Sequence, residues 1–286
     1  MSLYRDFATQ EEIDAVYNPG ATAADPEAAI AGWALRSAAA MAELDARLGV
    51  RFGPTRAEYC DVYPAGAGAP VHLFIHGGYW RRFSARDHAF LARPLVAAGI
   101  TTVVMNYALC PAVDLDEIVR QVRAAIAWCH GAAASFDADP ARLTVSGHSA
   151  GGHLVAMALA TDWRGDYDLP AELIKGAAAI SGVYDLGFLP WCYVQPKVQA
   201  RWDQIERLSP IRHLPRAAPP LLVAVGGNET SEFVRQSRDF HAAWRQAGLA
   251  GELLELAGAD HFSILDAIEQ PASPLHAALV RLAHSR

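Results

Sequence analysis

The sequence predicts an α/β protein with a mostly parallel sheet covered by helices on both faces. Three observations carry this reading. From residue 71 onward, strand-like and helix-like segments alternate at regular spacing. Several of the strand-like segments, 71–75 and 220–225 among them, are apolar almost throughout, as strands buried on both faces are. The segments richest in Gly, Ser, His and acidic residues fall where strands end, which is where open α/β sheets bind ligands.

Taken in order, residues 1 to about 48 read as helical with a break at Asn18-Pro19-Gly20, and 26–48 are dense in Ala, Leu and Met. A strand is expected over 57–63, followed by a Pro- and Gly-rich turn over 64–70. Further strands are expected at 71–75, 101–106, 142–147, 176–181, 220–225 and 252–256. Helices are expected at 86–98, 114–130, 150–162, 231–247 and 273–284. The stretch 186–219 breaks the alternation. It lacks a clear strand, is punctuated by prolines and gathers Phe188, Trp191, Tyr193 and Trp202. It reads as an excursion that caps the site, on which a flat apolar substrate would find aromatic surface. No linker or internal repeat divides the chain, so residues 1–286 are expected to form one domain.

With 286 residues the chain can bury a large core. Its net charge of −7 disfavours nucleic acid and anionic membrane surfaces as partners. Cys60, Cys110, Cys129 and Cys192 are scattered, without a C-x-x-C pair, and read as small buried apolar residues. No signal-peptide pattern and no 20-residue apolar stretch is present, so a cytoplasmic enzyme with a small-molecule substrate is the expectation. His72 and His76 lie near each other without a third ligand, so neither a metal nor another cofactor is expected.

The most specific motif is Gly147-His148-Ser149-Ala150-Gly151, set between a short strand and a helix. A serine in such a turn is held out of the sheet with its hydroxyl aimed into a cleft, and small flanking residues let strand and helix approach. Ser149 is therefore the expected nucleophile. His148 supports the turn and is expected to touch the substrate.

Upstream, 71–75 runs into His76-Gly77-Gly78-Tyr79-Trp80. A glycine pair after a strand can turn backbone N–H groups outward, as an oxyanion requires. The expected donors are Gly78 and Tyr79, with Gly77, joined by Ala150 after the nucleophile. Trp80 is expected to contact the substrate, as are Tyr184 and Trp191 further along the chain.

The general base should follow the acid, which follows the serine. His261 stands in a loop after the final strand, whereas His213, His241, His276 and His284 lack that placement. For the acid, Glu229 after the 220–225 strand is the first choice, and Asp185 after the preceding strand is the competitor. Glu232 belongs to the first turn of the next helix, and Asp260 adjoins His261 in sequence.

Together, His76-Gly77-Gly78-Tyr79-Trp80 and Gly147-His148-Ser149-Ala150-Gly151-Gly152-His153 resemble the arylformamidases (kynurenine formamidases) of the α/β-hydrolase superfamily. Further matches include Tyr17-Asn18-Pro19, Asn106-Tyr107-Ala108-Leu109-Cys110-Pro111, Thr161-Asp162-Trp163 and Ser181-Gly182-Val183-Tyr184-Asp185-Leu186. The His-Gly-Gly-x-Trp form is fairly specific, since related lipases and esterases more often carry His-Gly-Gly-Gly. The resemblance implies an α/β-hydrolase fold with Ser149 as nucleophile, His261 as base and Glu229 as acid. Family members carry Asp where Glu229 stands. The implied reaction is hydrolysis of N-formyl-L-kynurenine to kynurenine and formate. A carboxylesterase would use the same residues and is the alternative.

Overall fold

A computed structural model describes residues 2–285. Eight strands form one sheet: β1 (Arg47–Arg51), β2 (Tyr59–Tyr63), β3 (Ala69–Ile75), β4 (Thr101–Met105), β5 (Ala138–His148), β6 (Gly176–Ile180), β7 (Leu221–Gly226) and β8 (Gly251–Leu256). Their order is β1-β2-β4-β3-β5-β6-β7-β8. β1 and β2 run antiparallel to their neighbours, and β3 through β8 are parallel. The helices are α1 (Gln10–Tyr17), α2 (Pro26–Glu43), α3 (Ala92–Ala97), α4 (Leu115–Ala132), α5 (Ala150–Leu159), α6 (Trp163–Tyr167), α7 (Gln195–Val198), α8 (Trp202–Arg207), α9 (Ser231–Gln246) and α10 (Pro274–His284).

Central strands β3, β4, β6 and β7 are buried at every residue, because side chains on both faces meet helices. Two apolar cores result, one on each face. Leu73, Val103 and Val145 point into the core that holds α4, α5 and α9. Phe74, Val104 and Ala178 point into the one that holds α2, α3 and α10. The alternation of the strand assigns neighbouring residues to opposite cores. The four cysteines are buried and unpaired. Among the described residues no helix is long and apolar enough to cross a membrane.

Four expectations are corrected. Residues 47–51 form the edge strand β1 rather than the end of a helical segment. The piece is short, carries two arginines and pairs on one side only, so its local signal is weak. The helix expected over 86–98 is two 3₁₀ turns followed by the six-residue α3. There the Asp87 carboxylate reaches back to the Ser84 N–H at 2.7 Å and closes a separate capped turn. The helix expected over 150–162 stops at Leu159, and Asp162 caps α6 by accepting from the Gly165 N–H at 2.9 Å.

The fourth correction concerns the aromatic excursion, which is built of short helical turns and packs largely on the body of the protein. Phe188 stacks on Tyr17 with centroids 3.7 Å apart, and Trp191 meets Trp202 edge-on at 6.5 Å. Among the described residues of the excursion, Tyr193 alone lines the cavity beside Ser149. The cavity is covered instead by the N-terminal segment, through residues from Asn18 to Trp33. Tyr17 anchors this segment. Its hydroxyl donates to Glu232 Oε2 at 2.7 Å and accepts from Gln236 Nε2 at 2.9 Å, while its carbonyl accepts from the Tyr79 hydroxyl at 2.6 Å.

Candidate active site

Ser149 sits between the end of β5 and the start of α5 with φ +57° and ψ −120°. Few residues with a Cβ adopt this conformation, and it costs of order 1–3 kcal/mol unless the surroundings impose it. Here they do. The Ser149 N–H donates to the Ile180 carbonyl on β6 at 2.8 Å, and α5 packs directly on β3. The packing is tight enough that a Cβ on Gly151 would lie 2.0 Å from the Ile75 carbonyl oxygen. The Gly77 loop also approaches the turn closely: a Cβ on Gly77 would lie 2.9 Å from the Ser149 Cβ.

After Gly77 the chain takes three successive positive φ values, +101° at Gly78, +49° at Tyr79 and +54° at Trp80. Among the described residues no acceptor engages the backbone N–H groups of Gly78, Tyr79 or Ala150. Gly77, Gly78 and Tyr79 line a cavity of about 590 Å³ together with Ser149 and His261. Three donors without partners beside a hydroxyl can hold the charge that develops on an attacked carbonyl oxygen. Ala150, as the first residue of α5, adds the positive end of a helix dipole.

Glu229 follows β7, and its carboxylate is held by three donors. Oε2 accepts from His261 Nδ1 at 2.6 Å. Oε1 accepts from the Gly226 N–H at 2.7 Å and the Ser181 hydroxyl at 2.5 Å. Because the carboxylate can only accept, His261 carries its proton on Nδ1 and leaves Nε2 able to accept one. The His261 ring lies between His148, 4.6 Å away, and Phe233, 4.5 Å away. His148 Nε2 donates to the His261 carbonyl at 2.8 Å. Burial and the neighbouring His261 hold His148 well below the usual imidazole range. It therefore stays neutral and adds no second positive charge when His261 takes up a proton. Ser149, Glu229 and His261 are all nearly inaccessible to solvent. The Ser149 hydroxyl and His261 make no mutual hydrogen bond here, and contacts of this kind tighten once substrate is bound.

The competing acids are engaged elsewhere. Asp185 accepts from the Gly187 N–H and pairs with Arg212 at 2.9 Å. Glu232 pairs with Arg235 at 2.7 Å, and Asp260 accepts from the Phe262 and Ser263 N–H groups. Three of the four residues expected at the substrate surface lie off the cavity. Trp80 is fully buried, edge-on to His153 at 5.1 Å. Tyr184 is buried and stacked on Phe240 at 4.1 Å. Trp191 packs against Trp202. Of the four, His148 lines the cavity. The walls come instead from Ile30, Trp33, Phe83, Tyr193 and Phe262. Tyr193 belongs to the aromatic cluster of the 186–219 stretch, whereas the other four had no motif to mark them and come from three further parts of the chain. Ser181, which follows β6 and opens the Ser181–Leu186 match, was given no role of its own by the sequence. Its position at a strand end beside β7 was the available signal. His72 bonds Thr144 and Ser146 across β3 and β5, and the described residues contain no cluster of three potential metal ligands.

A parallel sheet in this strand order, with a serine turn after β5 and an acid and a histidine after β7 and β8, defines a class of enzymes. A model of the alpha/beta hydrolase fold matches residues 72–265. A solved structure from Silicibacter sp. TM1040, provisionally named a thioesterase, superposes with TM-score 0.83 at 28% identity, covering 93% of this chain and 98% of that one. A kynurenine formamidase of Danio rerio is 35% identical over 225 residues, 76% of this chain and 75% of its own length. Esterase LipC of Mycobacterium tuberculosis is 31% identical over 219 residues, 69% of this chain and 54% of its own. The chain belongs to the α/β-hydrolase family, as an arylformamidase-like hydrolase within it.

Proposed function

We infer that this chain is a serine hydrolase of aryl formamides that converts N-formyl-L-kynurenine to kynurenine and formate. The observation that carries this is the Glu229–His261 pair at 2.6 Å, set in the same cavity as Ser149 and the donors of the Gly77–Tyr79 loop. The similarity to the Danio rerio kynurenine formamidase supports the choice of substrate.

In this mechanism Ser149 Oγ attacks the formyl carbon while His261 Nε2 takes its proton. Glu229 stabilises the imidazolium through Nδ1. The oxyanion is held by the N–H groups of Gly78, Tyr79 and Ala150, each worth about 3 kcal/mol by analogy with other acyl-transfer sites. His261 then gives its proton to the departing aryl amine. Water, deprotonated by the same histidine, attacks the formyl-serine and releases formate.

Esterase relatives such as LipC keep ester hydrolysis as the second reading. The two are separated by kcat/KM for N-formyl-L-kynurenine beside p-nitrophenyl acetate, with Ser149→Ala as the control. A formamide value of about 10⁴ M⁻¹s⁻¹ or better, lost in Ser149→Ala, supports the formamidase. Turnover of the activated ester alone makes the enzyme an esterase. Turnover retained in Ser149→Ala overturns both readings.

A further inference from the structure

Arg81 lies two residues beyond Tyr79 on the same loop, and its N–H closes a turn onto the Gly78 carbonyl at 3.0 Å. It lines the cavity that holds Ser149 and His261. Arg36 meets Asp266, Arg207 meets Asp116 and Arg235 meets Asp239, while Arg82, which also lines the cavity, is exposed and pairs with no carboxylate among the described residues. Arg81 has no such partner among the described residues. Its Nε is buried without an acceptor, and its guanidinium carbon lies 5.8 Å from the centre of the Tyr193 ring. Tyr193 holds the cation against the cavity wall through its ring and hydroxyl and leaves Nε without an acceptor. A half-buried guanidinium with open donors, mounted on the oxyanion loop, matches a planar anion that can accept two hydrogen bonds.

We propose that Arg81 is the carboxylate-binding residue of the substrate site, so that preferred substrates carry a carboxylate remote from the bond that is cleaved. This rests on the formamidase reading for the identity of that bond and adds the group by which the rest of the substrate is recognised. Glu27 lines the same cavity and forms no ion pair among the described residues. Its charge suits the ammonium of an amino-acid zwitterion.

The test uses two substrate pairs on the full-length enzyme and on Arg81→Gln and Arg81→Lys. One pair is N-formyl-L-kynurenine and 2′-formamidoacetophenone, which keeps the aryl ketone and lacks the amino acid. The other is 3-acetoxybenzoate and its methyl ester. Arg81→Gln is expected to raise KM for the charged member of each pair about 10-fold or more, to leave kcat and the neutral member within about 2-fold, and Arg81→Lys to restore part of the loss. An equal loss on charged and neutral members, or no change on either, overturns the proposal. If wild type hydrolyses the esters and neither formamide, the formamidase reading fails. The ester pair then still reports whether Arg81 binds a carboxylate.

Discussion

Replacing Glu229 by Gln removes one charge and leaves the shape of the side chain intact. The three donors around Glu229 dictate how the new amide must sit. The Gly226 N–H is fixed by the end of β7 and requires an oxygen at the Oε1 position, 2.7 Å away. The amide oxygen of Gln is therefore held there, and its NH₂ group is left facing His261. An NH₂ group donates, so His261 Nδ1 must accept, and its proton moves to Nε2. In the proposed mechanism Nε2 takes the Ser149 proton, and a protonated Nε2 cannot. The developing imidazolium also loses the carboxylate 2.6 Å from Nδ1. In other serine triads the equivalent change lowers kcat about 10⁴-fold, close to 5.5 kcal/mol of transition-state stabilisation. The same loss is expected here, with Tm changed by only a few degrees because the site stays filled and hydrogen-bonded. Steady-state kinetics on the preferred substrate, with thermal unfolding followed by circular dichroism, measure both. The companion Asp185→Asn should keep kcat within about 2-fold, since Asp185 is paired with Arg212. A Glu229→Gln enzyme within about 10-fold of wild type refutes the assignment of the acid.

Three further outcomes are expected. Gly151→Ala should cost about 3 kcal/mol or more, because its Cβ would meet the Ile75 carbonyl oxygen at 2.0 Å and backbone cannot easily give way. That corresponds to a Tm lower by about 6–12 °C, and an unchanged Tm would contradict the close packing of α5 on β3. Tyr17→Phe should loosen the N-terminal cover by about 1–2 kcal/mol and raise KM a few-fold with kcat kept, whereas an unchanged KM would remove this segment from the substrate site. Stability should fall on acidification: burial pushes His72, His88 and His153 down to about 4 and His76 to about 3. The unfolded chain protonates these rings near pH 6.5 and the folded chain does not, so each removes up to about 1.4 kcal/mol per pH unit between pH 6.5 and 4. Urea midpoints that stay constant between pH 7 and 5 would show that these rings titrate normally in the folded state.

Much of what depends on near neighbours in the chain was readable from residue order, while the edge strand β1 and the capped turns at Ser84–Asp87 and Asp162–Gly165 were not. The strand segments, the turn around Ser149 and the glycines of the Gly77 loop follow from hydrophobic period and from the steric demands of a strand-to-helix turn. The placement of Glu229 and His261 after successive strands also followed, because parallel strands bring their carboxyl ends to one edge. Choosing Glu229 over Asp185 is a different kind of question. Both residues follow strands, and what separates them is that Arg212 draws Asp185 away while Gly226, Ser181 and His261 converge on Glu229.

The aromatic residues show the same division. Trp80, Tyr184 and Trp191 carry the right surface for a substrate, yet packing turns Trp80 onto His153, Tyr184 onto Phe240 and Trp191 onto Trp202. Trp33, Phe83 and Phe262 wall the cavity instead. The cover likewise comes from the N-terminal segment, tied down through Tyr17 to residues more than 200 positions away. Local sequence settles which backbone can turn and which side chain can be held at a strand end. Which distant side chains meet is decided by burial and charge pairing across the folded chain, because those energies belong to contacts that do not exist until the sheet has formed.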